Sequence, residues 1–246
     1  GGGSRVRPQG YYGLVTPSVP PSDDAPRPPS PTAPPDSLTG VGAPAPVIET
    51  FTLGEFQTNC YLVRVPGAEP GETPGACWIV DAGFGPERLI GRVKELGLRP
   101  AAVVLTHAHV DHIAGVGEVL RAFPGTPVLV HHTEAAWLND PLLNLSAMMG
   151  MAVTAPGPAR TLRDGEELEL SGTRWRVLHT PGHSPGGITL YHAASHQALV
   201  GDLIMAGSVG RFDFPGSDGQ VLAQSIRRRI YTLPEETTLY PGHGPR

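Results

Sequence analysis

The sequence predicts a layered domain of the α/β or α+β class, and three observations lead to that prediction. Short runs of β-branched and aliphatic residues begin at Val47 and are separated by glycine and proline. These strand runs follow one another directly at the front, as in a meander, and alternate with helix-like segments farther along. A hydrophobic content of 39% is enough for a buried core in a domain of roughly 200 residues.

Nine runs have the length and composition of strands, and four segments between them have the apolar spacing of helices. The strand runs are VIETFTL, CYLVRV, CWIVD, AAVVLT, PVLVHH, RWRVLHT, GITLYH, ALVGD and TTLYPGH. The helix-like segments are PERLIGRVKELGL, IAGVGEVLRAF, TEAAWLND and GQVLAQSIRRRIY. PLLNLSAMMGM, from Pro141 to Met151, is apolar without a clean period. We expect a buried helix there, with a loop beside the substrate as the alternative.

The first residues have a different composition from the rest. Residues 1–46 hold twelve of the 28 prolines and almost no periodic apolar pattern, which is typical of a disordered or polyproline-like tail. A short apolar cluster around Tyr11 and Tyr12 leaves a docking peptide as the alternative. We therefore predict a tail at residues 1–46 and one folded domain at residues 47–246.

Charge and hydropathy exclude several classes of partner. The formal net charge is -5 and only 17% of residues are charged, so we expect no nucleic-acid partner. No run approaches the roughly 18 apolar residues of a membrane span, and no basic, apolar leader opens the sequence, so we expect no membrane contact and a cytoplasmic protein. Cys60 and Cys77 lie in apolar runs and are expected to be small buried side chains, with a disulfide between them left open. Oligomeric state is not predicted.

The most informative stretch is THAHVDH, Thr106–His112, which directly follows a buried-strand run and precedes a helix-like segment. Side chains at positions i and i+2 of extended backbone point the same way, so His107 and His109 can converge on one ion. Asp111 and His112, where the chain turns into the helix, can face a second ion. Three imidazoles and a carboxylate are costly to bury without partners, and a solvated turn explains them poorly.

Three later residues occupy matching places at strand ends. His183 follows RWRVLHT, Asp202 follows ALVG and His243 follows TTLYPG, each beside a glycine. Such residues can gather at one edge of the sheets. Imidazole and carboxylate ligands without thiolate suit Zn(II), with Fe(II) and Mn(II) as alternatives that ligand softness does not separate.

The pentapeptide GHSPG, Gly182–Gly186, also matches the nucleophile elbow of serine hydrolases. Two features argue against that function. The residues after Gly186 have a strand composition, whereas an elbow is followed by a helix. Pro185 has no N–H group to give to an oxyanion hole. We therefore expect His183, rather than Ser184, to carry the chemistry, and we expect the nearby His179 to orient a ligand rather than bind metal.

In this order, THAHVDH, TPGH, GD and PGHG resemble the motifs of the metallo-β-lactamase fold superfamily. FTLGEFQTNCYLV and GSVGRFDFPGSD resemble its small bacterial glyoxalase II-like (hydroxyacylglutathione hydrolase-like) branch. The resemblance covers about residues 47–246 and implies an αββα four-layer sandwich with a dinuclear metal site. Carried over by position, one metal takes His107, His109 and His183, the other takes Asp111, His112 and His243, and Asp202 bridges them.

The resemblance implies a hydrolase that uses a metal-bound hydroxide on a thioester, most simply of the S-lactoylglutathione type. Asp111 and Asp202 are the predicted catalytic residues, and Arg211 is the candidate for holding a substrate carboxylate. Phe212 replaces the threonine of the common GRTD motif, and the C-terminal helical domain of eukaryote-type glyoxalase II does not follow the last motif; both differences concern the substrate. The alternatives are a lactone or β-lactam hydrolase, a mononuclear-iron persulfide dioxygenase and a non-catalytic binding module.

Overall fold

The structure is a computed structural model that describes residues 45–67 and 75–246. The predicted proline-rich tail at residues 1–46 lies outside the described residues, apart from its last two. In the part of the chain that is described, no helix combines the length and the apolar composition needed to cross a membrane.

The first sheet has six strands in chain order. They are β1 (Val47–Leu53), β2 (Thr58–Arg64), β3 (Ala76–Val80), β4 (Arg99–Val104), β5 (Val128–His131) and β6 (Arg160–Leu162). Strands β1 to β3 form an antiparallel meander, and β3 to β6 run parallel. The change from meander to parallel strands agrees with the sequence, where helix-like segments first appear after the third strand run.

The second sheet is built mainly from the later half of the chain. Its first four strands, β7 (Glu167–Leu170), β8 (Thr173–His179), β9 (Ile188–His192) and β10 (Gln197–Gly201), pair antiparallel in that order. A small hairpin of β11 (Ile204–Met205) and β12 (Ser208–Val209) follows. The last strand, β13 (Thr238–Pro241), runs parallel to β10 and completes five strands.

Within residues 45–67 and 75–246, four α-helices lie on the outer faces of the sheets. They are α1 (Glu87–Glu95), α2 (Val110–Ile113), α3 (Val116–Ala122) and α4 (Gly219–Ser225), and α4 continues as a π-helical turn over Ile226–Ile230. Short 3-10 helices cover His132–Asn139, Ser146–Met149 and Ala193–Ser195. The Asp218 side chain caps α4 by accepting the backbone N–H groups of Gln220 and Val221, at 2.8 and 3.0 Å.

Three buried apolar clusters define four layers. One joins α1 and α3 to the outer face of the first sheet through side chains such as Leu62 and Leu89. The second fills the space between the sheets, where Trp78 and Trp175 meet edge to face with ring centroids 6.0 Å apart. The third joins the second sheet to α4 through Leu222 and its neighbours. Neighbouring strand residues alternate between clusters, so both sheets are buried on both faces. The predicted αββα sandwich is confirmed.

The segment Pro141–Met151 differs from the expectation of a buried helix. It forms a turn and the 3-10 helix Ser146–Met149, with Leu142 72% and Met148 65% exposed. The Asn144 amide donates to the backbone oxygens of Trp137 and Val153, at 3.1 and 2.9 Å, and these contacts replace helical hydrogen bonds. The helix expectation was wrong because apolar composition alone does not say which side chains become buried.

Cys60 and Cys77 are buried free thiols.

We expect Trp175→Ala to lower the free energy of unfolding by about 3–5 kcal/mol, because removal of this fully buried ring leaves a cavity between the sheets. Urea unfolding followed by far-UV circular dichroism measures the change. Tyr231→Ala is the control, since that side chain is 70% exposed and its loss should cost less than about 0.5 kcal/mol. A Trp175→Ala protein as stable as this control would contradict the sandwich packing.

Candidate metal centre

The THAHVDH segment lies just past the end of β4, where the sequence predicts it. His109 has extended backbone (φ -70, ψ 152) and is the residue before α2, whose first turn holds Asp111 and His112. The chain therefore presents His107 and His109 from extended backbone and the next two side chains from a helix.

The structure brings all seven predicted ligands together. His183 lies in the loop after β8, Asp202 directly follows β10 and His243 follows β13. Each of three overlapping groups offers nitrogen or oxygen atoms within 4.8 Å of one another: His107, His109 and His183; His107, His112 and Asp202; and Asp111, His112 and His243. The sequence prediction of a shared edge for these strand ends agrees with this arrangement.

The first group is made of three buried imidazoles. Nδ1 of His109 lies 2.9 Å from Nε2 of His183, and Nε2 of His183 lies 3.5 Å from Oδ2 of Asp202. Nδ1 of His183 donates to the backbone oxygen of Arg211 at 2.8 Å. A carbonyl oxygen only accepts, so Nδ1 carries the proton and the lone pair of the neutral ring lies on Nε2, facing His109.

The second group mixes imidazoles with carboxylates. Nε2 of His243 lies 3.1 Å from Oδ2 of Asp111 and 3.4 Å from Oδ2 of Asp202. Nε2 of His112 lies 3.3 Å from Oδ1 of Asp202 and 3.4 Å from Oδ2 of Asp111. Asp202 therefore contacts His183 of the first group and both imidazoles of the second, which is the place of a bridging ligand.

Oxygen acceptors behind the rings fix their orientation. Nδ1 of His112 donates to Oδ2 of Asp81 at 2.8 Å, and Nδ1 of His243 donates to the backbone oxygen of Phe56 at 3.0 Å. As at His183, the outer nitrogen carries a proton and Nε2 faces the centre. Such contacts hold a ring in the orientation that metal binding needs.

Asp81 is a part of the centre that the sequence analysis missed. It directly follows β3 with φ +60, a left-handed conformation that aspartate tolerates better than most residues. Besides His112, its carboxylate accepts the backbone N–H and the hydroxyl of Thr106, both at 2.7 Å. The Thr106 hydroxyl also lies 3.2 Å from Nδ1 of His107. The sequence contained a signal for this role, because Asp81, like His183, Asp202 and His243, is a polar residue at a strand end near a glycine.

Thr58 and Asn59 were missed as well, although both lie in the FTLGEFQTNCYLV motif. The Thr58 hydroxyl donates to Oδ2 of Asp111 at 2.9 Å. The Asn59 amide donates to the backbone oxygens of Pro241 and Gly244, at 3.1 and 2.7 Å, on either side of His243. Thr58 and Asn59 of β2 thus hold the second group in place.

The surroundings shift the pKa values of the two groups in opposite directions. Burial and neighbouring imidazoles lower the pKa of His107 well below its usual value and that of His109 to about 3. Burial opposes protonation of His112 and His243 too, but the adjacent carboxylates outweigh it and raise both pKa values, that of His243 to about 10. Burial would raise the pKa of Asp111, but the charge on His112 and the hydrogen bond from His243 hold it at about 2.

The donor atoms fit a divalent metal. Nε2 of His107 is buried and has no hydrogen-bond partner among the described residues, and Nε2 of His112 and Oδ1 of Asp202, although 3.3 Å apart, are not aligned for a hydrogen bond with each other or with any other described residue. Leaving a buried polar atom unpaired costs about 1–3 kcal/mol, so three together need an explanation. A cation shared between the groups would satisfy all three atoms, and the nitrogen and oxygen donors suit Zn(II), Fe(II) or Mn(II).

The side chain of Arg211 is exposed and already paired. Its guanidinium donates to both carboxylate oxygens of Asp213, at 2.9 and 2.8 Å, and stacks on Phe214 at 4.2 Å from the ring centroid. Its backbone oxygen holds His183, as described above. Binding of a substrate carboxylate by Arg211 therefore stays a prediction.

Ser184 is buried, and among the described residues no imidazole hydrogen-bonds to its hydroxyl. Strand β9 follows GHSPG, as the sequence predicts, in place of the helix of a nucleophile elbow. Nε2 of His179 lies 2.9 Å from the backbone oxygen of Pro185, so this ring supports the loop that carries His183.

Aromatic rings flank the first group. Trp137 stacks beside His109 with ring centroids 5.8 Å apart, and Phe214 lies edge-on, 5.7 Å from His109 and 6.2 Å from His183. The centre therefore has a polar interior and an aromatic border.

Two bacterial proteins resemble the chain over most of their length. It is 37% identical over 195 residues to the probable metallo-hydrolase YqgX of Bacillus subtilis, covering 78% of this chain and 88% of that protein. It is 33% identical over 199 residues to the hydroxyacylglutathione hydrolase GloC of Haemophilus influenzae, covering 80% and 90%.

Solved structures resemble it as well. The B3 metallo-beta-lactamase BLEG-1 aligns with a TM-score of 0.74 at 36% identity, covering 81% of this chain and 92% of that one. TTHA1623, in a di-iron-bound form, aligns with a TM-score of 0.67 at 38% identity, covering 80% and 92%. The sequence profile of the metallo-beta-lactamase superfamily matches residues 53–243. With its sandwich fold, its histidine-rich centre and these relatives, the chain belongs to the metallo-beta-lactamase superfamily.

Proposed function

We propose that the chain is a dinuclear-metal thioester hydrolase acting on hydroxyacylglutathione-type substrates. One observation carries the proposal: seven imidazole and carboxylate side chains from four strand ends converge, with Asp202 between the two groups. The similarity to the hydroxyacylglutathione hydrolase GloC supports the substrate class.

In this proposal each group holds one ion. The ligands are His107, His109 and His183 for the first ion, Asp111, His112 and His243 for the second, and Asp202 for both. Zn(II) is our first choice of metal. Iron is the second choice, since the neighbour TTHA1623 is described in a di-iron-bound form.

Two bound divalent ions would supply a hydroxide at neutral pH and polarise the substrate carbonyl. Asp111 would act as a ligand and as the acceptor that orients the attacking water, with its carboxylate aligned by the Thr58 hydroxyl. Trp137 and Phe214 would exclude bulk water from the first group. The conjugate acid of a leaving thiolate has a pKa of about 8.5, so the thiolate can leave without receiving a proton from a side chain. The reaction therefore needs no further acid residue.

Arg211 would hold a carboxylate of the substrate by exchanging its exposed partner Asp213 for the ligand. Both side chains are about two-thirds exposed, at 65% and 64%, so the exchange breaks only a weak surface ion pair.

A β-lactam or lactone hydrolase is the second candidate function. The 36% identity to the B3 metallo-beta-lactamase BLEG-1 favours it, and the same ligands would serve. The reactions differ in the leaving group, because an amide or ester leaving group is more basic than a thiolate and gains more from a nearby proton donor.

A panel of S-lactoylglutathione, a lactone, a β-lactam and glutathione persulfide tests the substrate class. We expect kcat/KM for S-lactoylglutathione to exceed that for the lactone and the β-lactam by at least about a hundredfold, because of the better leaving group. Ultraviolet absorbance follows thioester cleavage, and an oxygen electrode follows persulfide oxidation. Turnover of the lactone or β-lactam without thioester cleavage would reject the first choice, and oxygen consumption would indicate a dioxygenase.

We expect Asp202→Ala and His109→Ala to lower kcat/KM more than about a hundredfold and to reduce the amount of bound metal, because each removes a proposed ligand. Loss of a residue that only hydrogen-bonds to a ligand already lowers metal affinity or activity by about 10- to 100-fold. Ser184→Ala should keep most activity and all bound metal. Activity assays and elemental analysis by mass spectrometry give both readouts. An inactive Ser184→Ala protein with full metal content would overturn the metal-based assignment.

Binding of the second ion is expected to release protons. The raised pKa values keep His112 and His243 protonated in metal-free protein at pH 7, whereas His107 and His109 are already neutral. For each proton that the metal displaces, the apparent metal affinity falls about tenfold when the pH is lowered by one unit. Because only the second group has such protons, the second ion should dissociate first as the pH falls from 8 to 6. Calorimetric titration in buffers of different ionisation enthalpy counts the protons, and equal release by both ions would contradict this expectation.

A further inference from the structure

Glu134 is a buried carboxylate that the proposed mechanism does not use. It lies in the 3-10 helix His132–Asn139 and has no exposed surface. Oε2 accepts the backbone N–H of Ala108 at 2.6 Å, and Oε1 accepts the backbone N–H of Gly186, also at 2.6 Å.

These two N–H groups belong to the two loops that carry the first group. Ala108 lies between His107 and His109, and Gly186 lies three residues after His183. One carboxylate therefore ties together loops that are 78 positions apart in the chain, counted from Ala108 to Gly186, through short charge-assisted hydrogen bonds. The helical segment of Glu134 also supplies Trp137, which stacks on His109.

The charge of Glu134 lacks a cationic partner. In the described ranges, no arginine, lysine or histidine forms an ion pair with it. Both oxygens accept N–H groups, so the arrangement fits the ionised form, although burial raises the pKa of this carboxyl group. A buried charge without a counter-charge is costly. A divalent ion held by the three neutral imidazoles would supply positive charge on the other side of the same loops.

Space for this contact depends on a glycine of the GHSPG motif. A Cβ atom at Gly186 would lie 2.8 Å from Cγ and 2.9 Å from Cδ of Glu134. Both are closer than real side-chain contacts, so any larger residue would push the carboxylate away. The second glycine of the pentapeptide thus serves the Glu134 contact rather than a serine nucleophile.

We propose that Glu134 is a positioning residue that joins the loops of His107, His109 and His183 and thereby sets the metal affinity of the first group. The inference rests on the metal centre of the proposed function and does not depend on the thioester substrate. Glu134 accepts backbone N–H groups of both ligand loops, so it acts through the imidazoles rather than on a substrate.

Glu134→Gln tests the proposal, because the side chain keeps its shape but loses its charge and presents an NH2 group to one of the two N–H donors. We expect the dissociation constant of the first ion to rise about 10- to 100-fold and that of the second ion to stay within about threefold of wild type. Titration of metal-free protein with Co(II), followed by visible absorbance and by chelator competition, separates the two ions.

Glu49→Gln is the matched control. Glu49 is a carboxylate that accepts from Arg64 and Arg92, at 3.1 and 2.8 Å, on β1 and away from the ligand loops. Its loss should lower the thermal midpoint without changing either dissociation constant. A purely structural role for Glu134 predicts the same result for Glu134→Gln, and that result would overturn the proposal.

Gly186→Ala provides an independent route, since the added methyl group displaces the same carboxylate. We expect a selective loss of the first ion again, and no further loss when it is combined with Glu134→Gln, because both changes remove one contact. Two additive effects, or equal weakening of both ions, would also reject the proposal. Wild-type protein that binds no divalent ion would reject both the centre and the role of Glu134. Two bound ions without thioester cleavage would reject only the substrate class.

Discussion

The packing of two sheets through one apolar layer is the constraint on which the rest of the molecule depends. Trp78 and Trp175 lie at this interface, and residues of both sheets fill it. Because the sheets are held face to face, the ends of β4, β8, β10 and β13 lie at one edge of the sandwich. Those strand ends carry the polar loops, so the position of the centre follows from burial of apolar surface elsewhere.

The centre is pre-arranged by contacts that lie behind its ligands. Nδ1 of His112, His183 and His243 each donates to an oxygen atom, which directs Nε2 inward. The supports differ between the groups. Carboxylates surround the second group and raise its imidazole pKa values, whereas the first group is neutral and its loops are joined by Glu134. The two groups therefore differ in electrostatic character before any ligand binds.

The border of the centre has a different chemistry from its interior. Trp137 and Phe214 lie beside the imidazoles, and the segment with exposed Leu142 and Met148 is joined to the ligand loop, since the N–H of Val110 donates to the Asn144 oxygen at 2.9 Å. A substrate in our proposal would place its reacting carbonyl over the polar interior and its remaining groups against this apolar border. Changes in these border residues would therefore offer a physical basis for altering substrate selection without altering the ligands.

The sequence by itself determined the strand ends, a layered α/β or α+β class and the chemical type of the ligands, because alternation of apolar residues and the spacing of His107 and His109 are local properties of a chain. The αββα arrangement was implied by the resemblance to the metallo-β-lactamase fold superfamily. Only the tertiary structure decided what supports those ligands. Glu134 was missed because its contacts join distant segments, and the helix expected at Pro141–Met151 was wrong because the fold decides which apolar side chains are buried. Asp81 lies at a strand end, but its contact with His112 exists only in the folded chain. A carboxylate that bonds backbone N–H groups leaves no sequence pattern, since any residue except proline provides that donor.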